Sequence, residues 1–196
     1  MAPSEIQALK RRTRRDYPYH LEYRTRWSDN DMYAHLNNSI YAFLIDSIIN
    51  TYLVSHCGLD PYHHPSSPSP STPNASPSKP SLWTKPSPPG SGGQIGLVVS
   101  SHCSYFSPVS FPDVLDLGLR VTALGSSSAT YEVGIFKRGE EAVKAVGGFT
   151  HVFVEKGTMR PSRERGMEEG IRRGLERLVV SAGSDSGDGK RGASKL

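Results

Sequence analysis

Cysteine is scarce in this sequence, with only Cys57 and Cys103 among 196 residues. Two thiols cannot staple a disulfide scaffold, and neither belongs to a C-x-x-C pair suited to zinc or redox work. Long apolar runs are missing too. None approaches the roughly 18 residues of a membrane span, and Met1-Ala2-Pro3-Ser4-Glu5 lacks the apolar core of a signal peptide. A soluble, non-secreted chain with no membrane partner is expected. There is also no G-x-S-x-G elbow, P-loop, H-E-x-x-H or E-x-x-H motif, which removes the familiar nucleophile, nucleotide and metal signatures. No metal and no cofactor are therefore expected. His56-Cys57 and His102-Cys103 do not rescue a zinc site, because adjacent side chains on a helix or strand diverge.

The chain is 36% apolar, 21% charged and carries a net charge of +4. The positive residues gather at the ends, in Lys10-Arg11-Arg12-Thr13-Arg14-Arg15 and around Arg172, Arg173 and Arg177. Such ends read as solvated tails more readily than as a nucleic-acid surface, which would show as salt-sensitive affinity, and no nucleic-acid partner is expected. Residues 1–18 are taken as a basic, flexible N-terminus. Residues 19–160 form the domain, interrupted at 60–93 by a Pro/Ser/Gly-rich insert too poor in apolar surface to offset its ordering entropy. Residues 161–180 are weakly helical, and 181–196 form a Gly/Ser/Asp-rich tail.

Within the domain, His20 to Trp27 alternates apolar and polar residues, the period of a half-buried strand. From Asn38 to about Gly58, Ile40, Phe43, Leu44, Ile48, Tyr52 and Leu53 recur at helical spacing, with Ile45 and Ile49 widening the stripe. The width predicts a central, buried helix, capped by Asn37 or Asn38 and stopped at Gly58. Strand-like stretches follow at Ile95–Phe106, Val114–Leu124, Ala129–Lys137 and Ala142–Glu155. The turns Gly125–Ser128 and Arg138-Gly139-Glu140 join the last three as antiparallel hairpins. Strand, long helix, then a meander of strands describes an α+β plan with one helix on a curved antiparallel sheet.

Chemistry concentrates in Trp27-Ser28-Asp29-Asn30-Asp31-Met32-Tyr33-Ala34-His35-Leu36-Asn37-Asn38-Ser39-Ile40-Tyr41. This stretch sets two carboxylates and a histidine in a loop that runs into the start of the buried helix. Such a start offers unpaired N–H groups and partial positive charge, which can hold a developing oxyanion. Thioester hydrolysis asks for that donor and for a carboxylate to attack the carbonyl carbon or activate water. A turn and a cap would use the same residue types without any catalysis.

The segment resembles the signature of the 4-hydroxybenzoyl-CoA thioesterase-like branch of the hotdog superfamily, approximately Asp-x-Asp-x-x-Gly-His-x-Asn-Asn-x-x-Tyr. Asp29, Asp31, His35, Asn37, Asn38 and Tyr41 match in order, and Ala34 stands where the family has Gly. Ser104–Pro108, Leu124–Tyr131 and Gly148–Val154 resemble that family's later strands, so the likeness runs from about Tyr19 to Pro161 apart from the insert. The resemblance implies a hotdog fold and hydrolysis of an acyl-CoA to free acid and CoA. It implies Asp31 as nucleophile or general base, and the N–H near Asn38 as the group polarising the thioester carbonyl. His35, Asn37 and Tyr41 would contact substrate or shape the loop, while Asp29 is secondary and could pair with Arg26. It also implies a homodimer or homotetramer in which a second subunit completes each site. Lys137, Arg138, Lys156 and Arg160 are candidates for the CoA phosphates.

A hotdog protein that binds acyl-CoA without turning it over is the alternative that Ala34 keeps open. A hotdog hydratase would carry Asp/His or His/Glu pairs that Asn38–Gly58 does not show. Ser194-Lys195-Leu196 matches the peroxisomal import signal, so an import receptor and a peroxisomal location are expected.

Overall fold

The computed structural model describes residues 3–60, 93–162 and 166–180. The alternating stretch near the start forms β1, Tyr19–Arg24, shorter than the period-2 pattern because a 3-10 turn at Trp27–Asp29 breaks it. The later stretches form β2 (Gln94–Tyr105), β3 (Val114–Leu124), β4 (Ser128–Lys137) and β5 (Val143–Glu155). They make one antiparallel sheet in the order β1-β3-β4-β5-β2. β3, β4 and β5 are joined by the two expected hairpins, with Gly139 at φ 83° in the second. β2 lies outermost beside β5, which leaves one side of a twelve-residue strand unpaired among the described residues.

The broad apolar stripe becomes α2, Asn38–Cys57. It buries Tyr41, Leu44, Ile45, Ile48, Ile49, Tyr52, Leu53 and Cys57 against Leu115, Leu117, Leu119, Val133, Ile135, Phe149 and Phe153 of the sheet. Each large aliphatic side chain so buried contributes about 1.5–3 kcal/mol. Gly58 ends the helix in the left-handed region, φ 73°, with its N–H donating to the Leu53 carbonyl. By length and composition α2 is apolar enough to cross a membrane, which a search for uninterrupted apolar runs overlooks. Its apolar stripe is instead turned into the core. This is the hotdog arrangement that the signature resemblance implied.

The N-terminus departs from the flexible tail expected of it. Pro3–Lys10 forms α1, and the residues after it strap the face of the sheet opposite α2. The Tyr17 ring lies across Gly118 and Gly134, where an added Cβ would stand 2.6 and 2.5 Å from ring atoms. Arg12 and Arg120 both pair with Glu132, which also accepts the Tyr17 hydroxyl, while Arg14 pairs with Asp116. Net positive charge concealed this role, because the acidic partners lie more than a hundred residues away. The expected C-terminal helix of 161–180 is shorter, α3 at Glu169–Glu176, and packs Ile171, Gly174 and Leu175 inward. Nearly all of the insert, at 61–92, and the tail with Ser194-Lys195-Leu196 lie outside the described residues.

Candidate functional site

The signature segment folds into two small turns ahead of α2. The second is closed by a bridge between Asn30 and Leu36 and by Asp31 N–H donating to the His35 carbonyl at 2.7 Å. Ala34 N–H returns to the Asp31 carbonyl, and Ala34 takes φ 60°. A turn followed by one left-handed residue is a common short hairpin loop, and a glycine would enter it without strain. Ala34 accepts the same backbone conformation at a cost of about 1–2 kcal/mol.

The two carboxylates in this segment have different surroundings. Asp29 is 2% exposed, and its Oδ2 accepts the Tyr23 hydroxyl and the Arg26 N–H, both at 2.8 Å. Arg26 Nε stands 3.4 Å from the other oxygen, the pairing anticipated from sequence. Asp31 is half-buried, and its Oδ1 accepts the N–H groups of Tyr33 (2.8 Å) and His35 (3.2 Å). Its Oδ2 has no hydrogen-bond partner among the described residues. Asp31 is therefore oriented through one oxygen while the other is open to a reactant.

Asn37 is the helix cap. Its Oδ1 accepts Ser39 N–H (2.9 Å) and Ser39 Oγ (2.8 Å), and its own N–H donates to the Asp29 carbonyl. Asn38 opens α2, and among the described residues its N–H has no acceptor. The helix start thus leaves a donor free, as an oxyanion site requires. His35 has an exposed side chain, and its backbone closes the Asp31 turn.

Tyr41 is buried, unlike a residue on an open substrate face. Its ring meets Tyr105 edge-on at 4.9 Å, and burial, ahead of the neighbouring Cys103 and Tyr105, pushes its pKa up to about 12. Burial also raises the Cys103 thiol, opposed by a hydrogen bond with Tyr105, so this cysteine stays protonated and a poor nucleophile.

Sequence reasoning missed the brace behind the loop. Val109 C=O accepts the Leu36 N–H, and Asn30 Oδ1 accepts the Phe111 N–H at 3.1 Å. It also missed an exposed apolar rim in which Trp27 and Phe111 stack edge-on at 5.8 Å, with Met32 and Tyr33 protruding nearby in the chain. The only early signal was that Trp27 heads the signature segment. Of the basic residues suggested for phosphate, Lys137 pairs with Asp113 and Glu140, Arg138 with Glu22 and Asp116, and Lys156 donates to the Asp60 carbonyl. Arg160 is exposed, its carbonyl accepting the Glu155 N–H. Among the described residues no three His, Cys, Asp or Glu side chains gather as a metal site.

The sequence profile described as Thioesterase superfamily matches residues 33–144, more than half of the chain. No curated protein sequence matches significantly. Among solved structures, the PA5185 protein from Pseudomonas aeruginosa strain PAO1 is 37% identical with a TM-score of 0.69, over 87% of this chain and 97% of that one. A 1,4-dihydroxy-2-naphthoyl-CoA thioesterase from Synechocystis is 11% identical with a TM-score of 0.59, over 82% and 96% of the two chains. A thioesterase from Thermus thermophilus, solved with coenzyme A and Zn, is 21% identical with a TM-score of 0.53, over 81% and 98%. At those identities the last two speak for the fold, whereas the profile, over more than half of the chain, carries the family: this chain belongs to the thioesterase superfamily and has its hotdog fold.

Proposed function

We propose that the protein hydrolyses an acyl-CoA thioester to the free carboxylic acid and CoA through Asp31. The observation that carries this reading is the pairing of an oriented carboxylate with an unpartnered helix-start donor. Asp31 is held through Oδ1 with Oδ2 open, in the loop that leads to the free N–H of Asn38. The open oxygen would attack the thioester carbon directly or take a proton from an attacking water. Negative charge then develops on the carbonyl oxygen, where the Asn38 N–H and the positive end of α2 would stabilise it. Collapse of that intermediate expels CoA as its thiolate, leaving the free acid when water attacks or, when Asp31 attacks, an acyl–Asp31 anhydride that a water then hydrolyses to the acid and free Asp31. His35 and the rim of Trp27, Met32, Tyr33 and Phe111 would border the acyl group, with Asn37 and Tyr41 shaping the loop from below.

The test is thiol release from short-chain, long-chain and aromatic acyl-CoAs by the full chain and by Asp31→Asn. Release that vanishes in the variant supports the reading and reveals the acyl class. Equal release by both proteins would remove Asp31 from the chemistry. Binding without release from any substrate would instead favour the non-catalytic alternative, whose motive was Ala34. That motive weakens because Ala34 adopts the left-handed conformation a glycine would take.

A homodimer is part of the same reading. β2 is the longer of the sheet's two edge strands, with Val98 and Val99 exposed, and an open edge strand of that length is a template for pairing with another chain. Sedimentation of the wild type against a variant with Pro in place of Ser100 would read the pairing. A peroxisomal location through Ser194-Lys195-Leu196 completes the proposal. Loss of punctate targeting when those three residues are deleted from a fluorescent fusion would support it, and unchanged distribution would refute it.

A further inference from the structure

A cavity of about 170 Å³ lies between the C-terminal end of α2 and α3, at the opposite end of the helix from Asp31. Its walls include His56, Cys57, Glu168, Arg173 and Arg177, and nothing in the proposed hydrolysis uses it. The cavity exists because α3 comes very close to α2. Gly174 rests directly on Cys57, and a Cβ there would collide with the cysteine Sγ.

The charge around this cavity is unbalanced. Arg173 in the last turn of α3 and Arg177, its C-cap, stand four residues apart, so they share a face and repel each other. Among the described residues neither forms a hydrogen bond or an ion pair. The adjacent Arg172, by contrast, pairs with Glu176 and donates to the Gly125 carbonyl at 2.7 Å. Glu168 is the one carboxylate in the described wall, and it is engaged elsewhere, with its Oε1 accepting the Gly93 N–H at 3.2 Å. Cys57 adds no negative charge, since burial pushes its thiol up to about 12.

The plain structural alternative is that these cations complement the negative end of the α2 dipole. The last turn of α2 also carries a basic residue of its own, His56. Two further unpaired guanidinium groups around a concave space exceed that need.

We propose that this cavity binds a phosphate group, with Arg173 and Arg177 as its principal donors. Planar guanidinium forks match phosphate oxygens in pairs. The volume suits a phosphate and little more, being well below the roughly 300–1,000 Å³ of pockets that enclose whole small molecules. The ligand is therefore a phosphate-bearing end of a larger molecule, such as the nucleotide end of CoA, or free phosphate itself.

The test is calorimetric titration of the full chain with inorganic phosphate, with adenosine 3′,5′-bisphosphate as the nucleotide end of CoA, and with adenosine. Wild-type protein should bind at least one phosphate-bearing probe and not adenosine. Arg173→Gln with Arg177→Gln should weaken that binding about tenfold or more. The melting midpoint should stay unchanged, as both side chains are exposed. Tighter binding of the bisphosphate than of phosphate assigns the site to CoA, whereas equal binding assigns it to free phosphate. Failure of both phosphate probes to bind, or equal binding by wild type and the double variant, overturns the proposal. The reading needs no turnover, and Asp31→Asn should bind the probes as wild type does, so its failure is separable from failure of the thioesterase reading.

Discussion

Asp29 and Asp31 stand two residues apart, in adjoining turns, with the same functional group and opposite assignments. Asp29 is buried with both oxygens engaged, by the Tyr23 hydroxyl, the Arg26 N–H and the Arg26 guanidinium. Asp31 is half-buried with only Oδ1 engaged, by the backbone of its own turn. The first ties β1 to the segment entering α2, because the Asp29 carbonyl also receives the Asn37 N–H. The second is presented by that framework. A carboxylate whose lone pairs are all committed stabilises structure, and one held through a single oxygen can react. Under the proposed hydrolysis, a motif with two aspartates need not contain two catalytic aspartates.

The largest effect that would sharpen this contrast is on rate. Asp31→Asn keeps an oxygen that can accept from Tyr33 and His35, so the turn should survive while the negative charge is lost. Steady-state hydrolysis of an acyl-CoA should fall on the order of 10²–10⁴-fold, the range associated with a positioned acid or base. Thermal melting should barely move. A large drop in melting temperature would mean that Asp31 holds the fold as Asp29 does, and the contrast would collapse.

Asp29→Ala should do the reverse in kind. It strands the Tyr23 hydroxyl and the Arg26 N–H beside an empty, buried position, and leaving such partners unmet costs about 1–3 kcal/mol apiece. Chemical denaturation should show a loss of about 2–4 kcal/mol, mostly from those unmet donors, because Arg26 is largely exposed and its ion pair adds little. Whatever activity remains in the folded fraction should stay dependent on Asp31. Unchanged stability would show that solvent or Arg26 compensates, and that Asp29 is not the anchor of the segment.

Much of this contrast was legible in the sequence, and the reasons are local. Asn38–Cys57 announced itself through helical spacing, an Asn cap and a Gly stop, and the last three strands through their turns. These features depend on neighbours within a few residues. The division of labour between Asp29 and Asp31 was only partly legible, since Arg26 could be named as a partner while Tyr23 and the Asn30–Leu36 bridge could not. Long-range pairings stayed hidden. β2 beside β5, Arg12 on Glu132 across the sheet and Tyr17 over two glycines all join residues that no local pattern connects. The basic N-terminus misled because charge counted along a chain says nothing about the carboxylates that will meet it in space. At the other end Arg173 and Arg177 are exposed, as a solvated end would have them, but the packing of α3 on α2 beside them was not legible.

Asn37 joins Asp29 to the start of α2 and offers a smaller, two-sided test. Its side chain caps α2 while its N–H bonds to Asp29, so Asn37→Ala removes the cap and leaves the backbone link in place. The loss of stability should be about 1 kcal/mol, typical of an N-cap. Activity should fall modestly as well, because the Asn38 donor loses part of its orientation. A fall in stability with rate unaffected would confine Asn37 to the framework alongside Asp29, whereas a fall in both would place it between the two roles.

The smallest effect concerns the backbone that presents Asp31. Ala34 holds φ 60°, a conformation that costs a non-glycine residue about 1–2 kcal/mol. Ala34→Gly relieves that strain but adds freedom to the unfolded chain worth about 0.4–1 kcal/mol. The net change should be a gain in stability of up to about 1 kcal/mol, measured by denaturant midpoint. Hydrolysis should be unaltered, because the Tyr33 and His35 N–H groups would still meet Oδ1 of Asp31. A marked rise in rate with glycine would instead mean that the alanine holds the turn slightly away from its working geometry. The open oxygen of Asp31 would then be only partly presented in this chain, and the difference between the two aspartates would be one of degree set by residue 34.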